Sequence, residues 1–420
     1  MENERKEIRA LSERYPKLQT LISYVNPETL RAEHKKQLKN KAVGVDEVTK
    51  QEYEENLTEN INNLIKRMKS FSYRPKPVKR TYIPKSNGKF RPLGIPCYED
   101  KLVQGCMAHV MKEIYEPKFL SCSYGFREKR SAHDAIRAIN KAMITKKIGY
   151  VLDCDITGFF DNVDQSWLIK FLRHDIGDEK FIRYIVRFLK AGIMEDGRLI
   201  ESDVGTPQGG LISPILANVY LHYVLDLWFE IKIKKSLNGD AVLVRYADDF
   251  LIMFQYKSEA ERVYQLLKER VAKFNLTLSE EKTKIIEFGR FSRTKDTFDF
   301  LGFTHYNDKT RNNKYKVGHK ISRKKMKEKR RKIKEWLMKN KTNKIPEIMK
   351  KLNIKLMGTY RYYGINGMTQ ELNKIGWYAG RITYSCLNRR SQRKSVTARK
   401  FAMIWKKYIK PPKIYVNIWN

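Results

Sequence analysis

The sequence predicts an α+β fold, on three observations. Two stretches read as strands that double back: 73–96 around Ser86-Asn87-Gly88, and Ala241–Phe254 around Asp248-Asp249. A third apolar run, Gly149–Asn162, ends around Asp155. Helix-period segments lie between and after these runs, the last of them strongly basic. With 420 residues, 41% of them hydrophobic, the chain can build two or three domains around a sizeable core.

Charge narrows the class of partner. There are 85 Lys and Arg against 47 Asp and Glu, a formal net charge of +38. From Arg311 onward 32 basic residues face 4 acidic ones, so +28 lies in the last quarter and +10 in the rest. The usual partner of such a surface is a polyanion. Five cysteines form no C-x-x-C pair, which argues against a structural zinc site and for a reducing compartment. The charged start, MENERKEIRALSERYPK, is no signal peptide. The most apolar stretch, Leu211–Ile231, is broken by Pro214, Asn218, His222 and Asp226, so it reads as a buried helix rather than a membrane span.

In chain order, residues 1–70 read as charged helices; Tyr53–Met68 places Leu57, Ile61, Leu64 and Ile65 on one face. Strands Val78–Ile83 and Lys89–Ile95 flank the Asn-Gly turn. Lys85 and Arg91 stand beside it, either as surface cations or as donors for triphosphate oxygens. Residues 99–145 read as helices interrupted by SYGFREKRS, where Arg127, Lys129 and Arg130 accompany Tyr124 and Phe126 in a mix suited to a phosphate backbone and a stacked base. Gly205, Gly209 and Gly210 permit close backbone approach to a ligand, Gln208 offers uncharged hydrogen bonds, and Ser213-Pro214 opens a helix. Ser258–Phe274 reads as a helix with Ser258 and Glu261 at capping-box spacing. The polar stretch 307–320 reads as a linker. Beyond it come basic helices at Ser322–Asn340, Ile345–Tyr360, Gln370–Leu387 and Thr397–Ile409.

The acidic residues carry the chemistry. Carboxylates on apolar strands are costly unless something neutralises them, and the usual neutraliser is a divalent cation with oxygen ligands. Asp155 and Asp248 on adjacent strand ends would hold two metals about 3.5–4 Å apart for in-line nucleotidyl transfer. Asp153 lies two residues earlier on the same strand face and is the rival to Asp155.

YADD at 246–249, DITGFF at 155–160 and GTPQGGLISPILAN at 205–218 resemble, in order and spacing, the polymerase motifs of reverse transcriptases. The fuller match, through 73–96, 123–135, 281–291 and 298–306, is to bacterial group II intron-encoded reverse transcriptase/maturases lacking an endonuclease. It covers about 50–400, and seven ordered blocks carry it. The resemblance implies a right-hand polymerase: N-terminal extension and fingers over 1–150, a palm with an antiparallel sheet flanked by helices over 151–306, and a linker and helical thumb, the maturase domain, over 307–420. It implies an RNA-directed DNA polymerase using two Mg²⁺, with Mn²⁺ as a substitute, held by Asp155, the Ile156 carbonyl, Asp248 and Asp249. Lys85, Arg91, Gln208 and Gly209 would line the nucleotide, and Phe160 would exclude a ribose 2′-hydroxyl. Tyr246 would face the primer end, and Lys282 would sit near the leaving pyrophosphate, with Lys284 as its rival. Arg127, Arg130, Arg361, Arg389, Arg390 and Arg393 would contact nucleic acid. Implied partners are an RNA template, a DNA or RNA primer, dNTPs and intron RNA, in the bacterial cytoplasm and with no membrane. Two further readings are a non-catalytic splicing maturase and a domesticated reverse transcriptase in phage defence or DNA repair. The chain departs from the family pattern at Glu128-Lys129, where Pro-Gly is usual.

Overall fold

The computed structural model describes residues 2–84, 90–200, 205, 209–390 and 396–419. The chain divides into two compact units. One comprises Met1–Ser131, Leu152–Ile252 and Ser258–Lys284; the other comprises Ala132–Val151, Met253–Lys257 and Ile285–Asn420.

In the first unit, Leu57–Lys69 is amphipathic and buries Ile61, Leu64 and Met68. Val78–Pro84 pairs antiparallel with Phe90–Ile95, Ile83 opposite Arg91, so the hairpin read from Asn-Gly forms; its turn lies outside the described residues. Val78–Pro84 also pairs in parallel with Ile193–Glu195, a three-residue strand too short to announce itself in sequence. Tyr98–Tyr115 is buried on most of its faces. Ser213–Leu221 starts with Pro in its first turn and runs on in π-turns over His222–Asp226 and Trp228–Ile233. Ala241–Tyr246, Asp249–Phe254 and Tyr150–Cys154 are successive strands of one sheet. Lys257–Ala272 is a helix that starts one residue early, so Ser258 lies inside it and does not cap it.

In the second unit, Thr297–Phe300, Phe303–Lys309 and Tyr315–Ile321 form a three-stranded antiparallel sheet, with Phe303 opposite both Phe300 and Ile321. The stretch read as a linker is therefore largely strand: its polar residues face out while Val317 and His319 are buried. Leu301 at φ 50° and Gly302 at φ 79° make the tight turn before it. The helices Arg323–Lys339, Ile345–Tyr363 and Thr369–Asn388 pack around Ile333, Leu337, Leu352, Leu356, Leu372 and Ile375, and Ile136 of Ala132–Thr145 joins that core. Tyr360 and Tyr363 belong to it too, so these rings pack rather than stack on a ligand.

Candidate active site

The site is built on the Ala241–Phe254 hairpin. Nine of the twelve residues in its two strands are buried, so the turn stands on a packed base. Ala247 and Asp248 form its two-residue turn, with Ala247 at φ +58°. Tyr246, half-buried, ends the first strand, and Asp249 begins the second. The neighbouring strand Tyr150–Cys154 leads directly into Asp155. Asp155 is pinned through its backbone: Ser279 N–H donates to its carbonyl at 2.8 Å, and Thr157 N–H donates to Thr277 O at 2.9 Å. Ile156 bridges Leu278 and buries its side chain.

The three acids act on one another. Asp249 is pushed up to about 6, by loss of water first, then by the charges of Asp248 and Asp155. The residue keeps an exposed surface, so repulsion from its two neighbours is the firmer cause. Burial also raises Asp248, with Asp155 adding to the rise and Arg91 opposing it. The Lys282 ammonium donates to Asp155 Oδ2 at 2.7 Å, so of the two candidate lysines Lys282 is the one on the site. Three mutually repelling carboxylates that already draw in an ammonium suit a hard divalent cation. Among the described residues no group of three or more His, Cys, Asp or Glu is placed to hold a metal ion by itself.

The raised carboxyl carries a signed consequence. A carboxyl whose folded value lies above its unfolded one stabilises the fold while protonated and loses that contribution as pH climbs through the window between them. For Asp249 the window runs from the ordinary carboxylate range up to about 6. In chelator, the unfolding midpoint is therefore expected to fall as pH rises across it. Calorimetry on Asp249→Asn should show a shallower fall, and Mg²⁺ should offset the loss at pH 7.

The remaining predicted residues divide. Phe160 is half-buried and packs edge-on against Phe159, which is itself buried in the core, so Phe160 keeps an open face. Gly205 and Gly209 have φ +89° and +115°, but their close neighbours are protein: backbone of Phe160 and Asp161 for one, the Gly94 carbonyl for the other. Their lack of a side chain serves this chain-on-chain approach. Arg91 is exposed and near enough to lower Asp248. Lys85, Gln208 and Arg393 lie outside the described residues.

Arg127 is a correction. Its guanidinium is buried, donating to Glu116 at 2.8 Å, to Leu120 O at 2.6 Å and to Ser123 O at 3.0 Å. Those acceptors consume the donors a phosphate would need. Arg130 instead lies over Tyr124, 5.3 Å from the ring centre. At the departure from Pro-Gly, Lys129 adopts φ +58°, a conformation glycine takes at lower cost, and Glu128 accepts two bonds from Arg5 at 2.8 Å. The loop keeps a glycine-like backbone with a lysine in it. Arg361, Arg389 and Arg390 are exposed in the second unit.

Sequence reasoning missed a buried cluster under the hairpin: Arg245, Asp226, Asn218 and Ser123, all fully buried. The signal was present. Arg245 is a charge inside an otherwise apolar strand, and Asn218 and Asp226 are the polar breaks in the most apolar stretch.

The site is thus an α+β frame with Asp155 and the Asp248–Asp249 pair at the ends of adjacent strands of one sheet. The model of the reverse transcriptase (RNA-dependent DNA polymerase) family matches residues 83–305, and the chain belongs to that family. It is 34% identical over 247 residues to the group II intron-encoded protein LtrA of Lactococcus lactis subsp. cremoris, over 58% of this chain and 40% of LtrA. It is 33% identical over 290 residues to protein YkfC of Escherichia coli (strain K12), over 62% of this chain and 74% of YkfC. An uncharacterized 91 kDa protein in the cob intron of Schizosaccharomyces pombe is 41% identical over 170 residues, 40% of this chain and 21% of that protein. The chain thus matches well under two thirds of the length of LtrA. No described helix is long and apolar enough to cross a membrane.

Proposed function

We propose that the chain is an RNA-directed DNA polymerase of the group II intron type, extending a primer 3′-hydroxyl with dNTPs on an RNA template and binding intron RNA as a maturase in splicing and retrohoming. The observation that carries this reading is the placement of Asp155 and of the Asp248–Asp249 pair at the ends of adjacent strands of one sheet, with Lys282 donating to Asp155. Divalent metal ions, two Mg²⁺ in this reading, with Mn²⁺ as a substitute, activate the hydroxyl and neutralise developing charge when bound. Asp155, Asp248 and the Ile156 carbonyl would hold them, with Asp249 a weaker ligand.

The chain's own groups do the rest. Lys282, now on Asp155, holds a proton where the pyrophosphate leaves. Arg91, with Lys85, takes phosphate oxygens. Gln208 meets the nucleotide by hydrogen bonds, and Gly209 shapes the loop beneath it. Tyr246 supports the primer end. Arg130, Arg361, Arg389, Arg390 and Arg393 take the backbone of the RNA. Fingers fall within 1–150, palm within 151–306 and thumb beyond 307, in a bacterial cytoplasmic enzyme. Primer extension on an RNA template with Mg²⁺ and dNTPs tests the reading; a wild-type protein that adds no nucleotide overturns it.

Two results follow directly. Phe160→Ala removes the ring under the sugar, and ribonucleotide incorporation relative to deoxynucleotide is expected to rise by about tenfold or more in single-nucleotide kinetics. Unchanged sugar selectivity would return the ring to packing. The basic surface makes RNA affinity steeply salt-dependent. With 6–10 phosphate contacts, raising salt from 50 to 200 mM should weaken binding by about 10³-fold or more in filter-binding titrations, and a flat dependence contradicts the assignment.

A further inference from the structure

Arg245 lies two residues before Ala247, and none of its surface reaches solvent. A guanidinium so buried is costly unless its N–H groups are met. All five are. Nε donates to Asp226 Oδ1 at 2.7 Å and Nη2 to Asp226 Oδ2 at 2.5 Å, a two-pronged pair. Nη2 also donates to Ser123 Oγ at 2.8 Å. Nη1 donates to Asn218 Oδ1 and to the carbonyl of Ala247, both at 3.0 Å.

That last bond falls on the turn that presents Asp248. Ala247 at φ +58° is in a region that costs a residue with a Cβ, and such conformations persist only where the surroundings over-determine them. Here they do. On the other side Gly125 lies so close that a Cβ on it would collide with the Ala247 amide. The Gly125 carbonyl accepts from Asn218 Nδ2 at 2.7 Å. Arg245 N–H donates to Cys122 O and Tyr124 N–H to Arg245 O, both at 2.8 Å. Helix phase matters as well. Asn218 and Asp226 are eight residues apart, about 80° out of register on a regular α-helix. The π-turn over His222–Asp226 rotates less per residue and brings both to one guanidinium.

We propose that Arg245 is a positioning residue: locked by Asp226 and Asn218, it fixes the Ala247–Asp248 turn so that the Asp248 carboxylate is presented ready for a divalent cation. The role assigned to Asp248 rests on the polymerase reading, but the clamp is measured separately, at the cation.

The test is the double variant Arg245→Met/Asp226→Leu. Replacing both partners of a buried ion pair with apolar residues is often neutral for stability, so the fold is kept and the bond to Ala247 is lost. The full chain is bound to an RNA template annealed to a dideoxy-terminated DNA primer, with the matching dNTP, and Mn²⁺ binding is read by electron paramagnetic resonance. An extendable primer gives the kinetics. The expected result is a near wild-type unfolding midpoint, template–primer Kd and dNTP KM, with kcat lower by about 10²-fold. Mn²⁺ affinity should be about tenfold weaker. A folded double variant with wild-type kcat and Mn²⁺ affinity overturns the proposal. Wild-type protein that binds Mn²⁺ but extends no primer overturns the polymerase reading instead; weaker Mn²⁺ binding in the double variant then still supports the clamp, and equal binding overturns it. Should the double variant fail to fold, Arg245→Lys takes its place, since an ammonium cannot span Asp226 and Ala247 as the fork does, and the same two outcomes apply.

Discussion

Asp248→Asn is expected to lower dNTP incorporation on an RNA template by about 10³-fold or more, with RNA binding unchanged. The amide keeps the shape of the side chain and removes its charge. What is lost is the anionic oxygen at the turn, and with it several kcal/mol of cation-mediated stabilisation of the transition state; about 4 kcal/mol corresponds to a thousandfold. Because the strand after the turn is buried from Phe250 onward and the strand before it is tied through Arg245 to Cys122 and Tyr124, the substitution leaves the fold in place. Primer-extension rates, paired with a filter-binding titration, separate the two effects. Equal incorporation by wild type and variant would remove Asp248 from the chemistry. Loss of extension with intron RNA still bound and spliced would show the maturase activity standing apart from the polymerase.

The second large effect is on stability. Asp226→Ala leaves the Arg245 guanidinium buried without its counter-ion, and breaking one side of such a pair costs about 3–5 kcal/mol. An unfolding midpoint lower by on the order of 10 °C is expected by calorimetry. Because Arg245→Met/Asp226→Leu removes both charges, it should recover most of that loss. A single substitution as mild as the double one would mean that Arg245 finds another partner or water.

The sequence made the acidic centre legible because a carboxylate on an apolar strand has few uses. Asp248 beside an apolar run and Asp155 at the end of another read as paired acids, and the fold brings them to the ends of adjacent strands of one sheet. Strands and helices with strong period were equally readable, as Leu57–Lys69 and Phe90–Ile95 show. The failures have physical causes. Composition marks 307–320 as a linker, but a strand with one face in solvent can be polar on alternate residues and still pair through its backbone, as Asn307 does with Val317. Arg127 reads as a nucleic-acid contact from its charge beside Tyr124 and Phe126 and from the resemblance, and Glu116, eleven residues away, cannot be matched to it by spacing rules. Arg245 escapes a sequence reading because its four partners, Ser123, Asn218, Asp226 and Ala247, scattered over more than a hundred residues, meet only once the chain has folded.

The account stands or falls on where a cation binds. Crystals of the full chain with an RNA template, a dideoxy-terminated DNA primer, the matching dNTP and Mn²⁺, measured at the manganese edge, locate it directly. The account predicts anomalous density within about 2.2 Å of carboxylate oxygens of both Asp155 and Asp248, with the Lys282 ammonium moved off Asp155. Manganese on the triphosphate alone, with Lys282 still seated on Asp155, would contradict it.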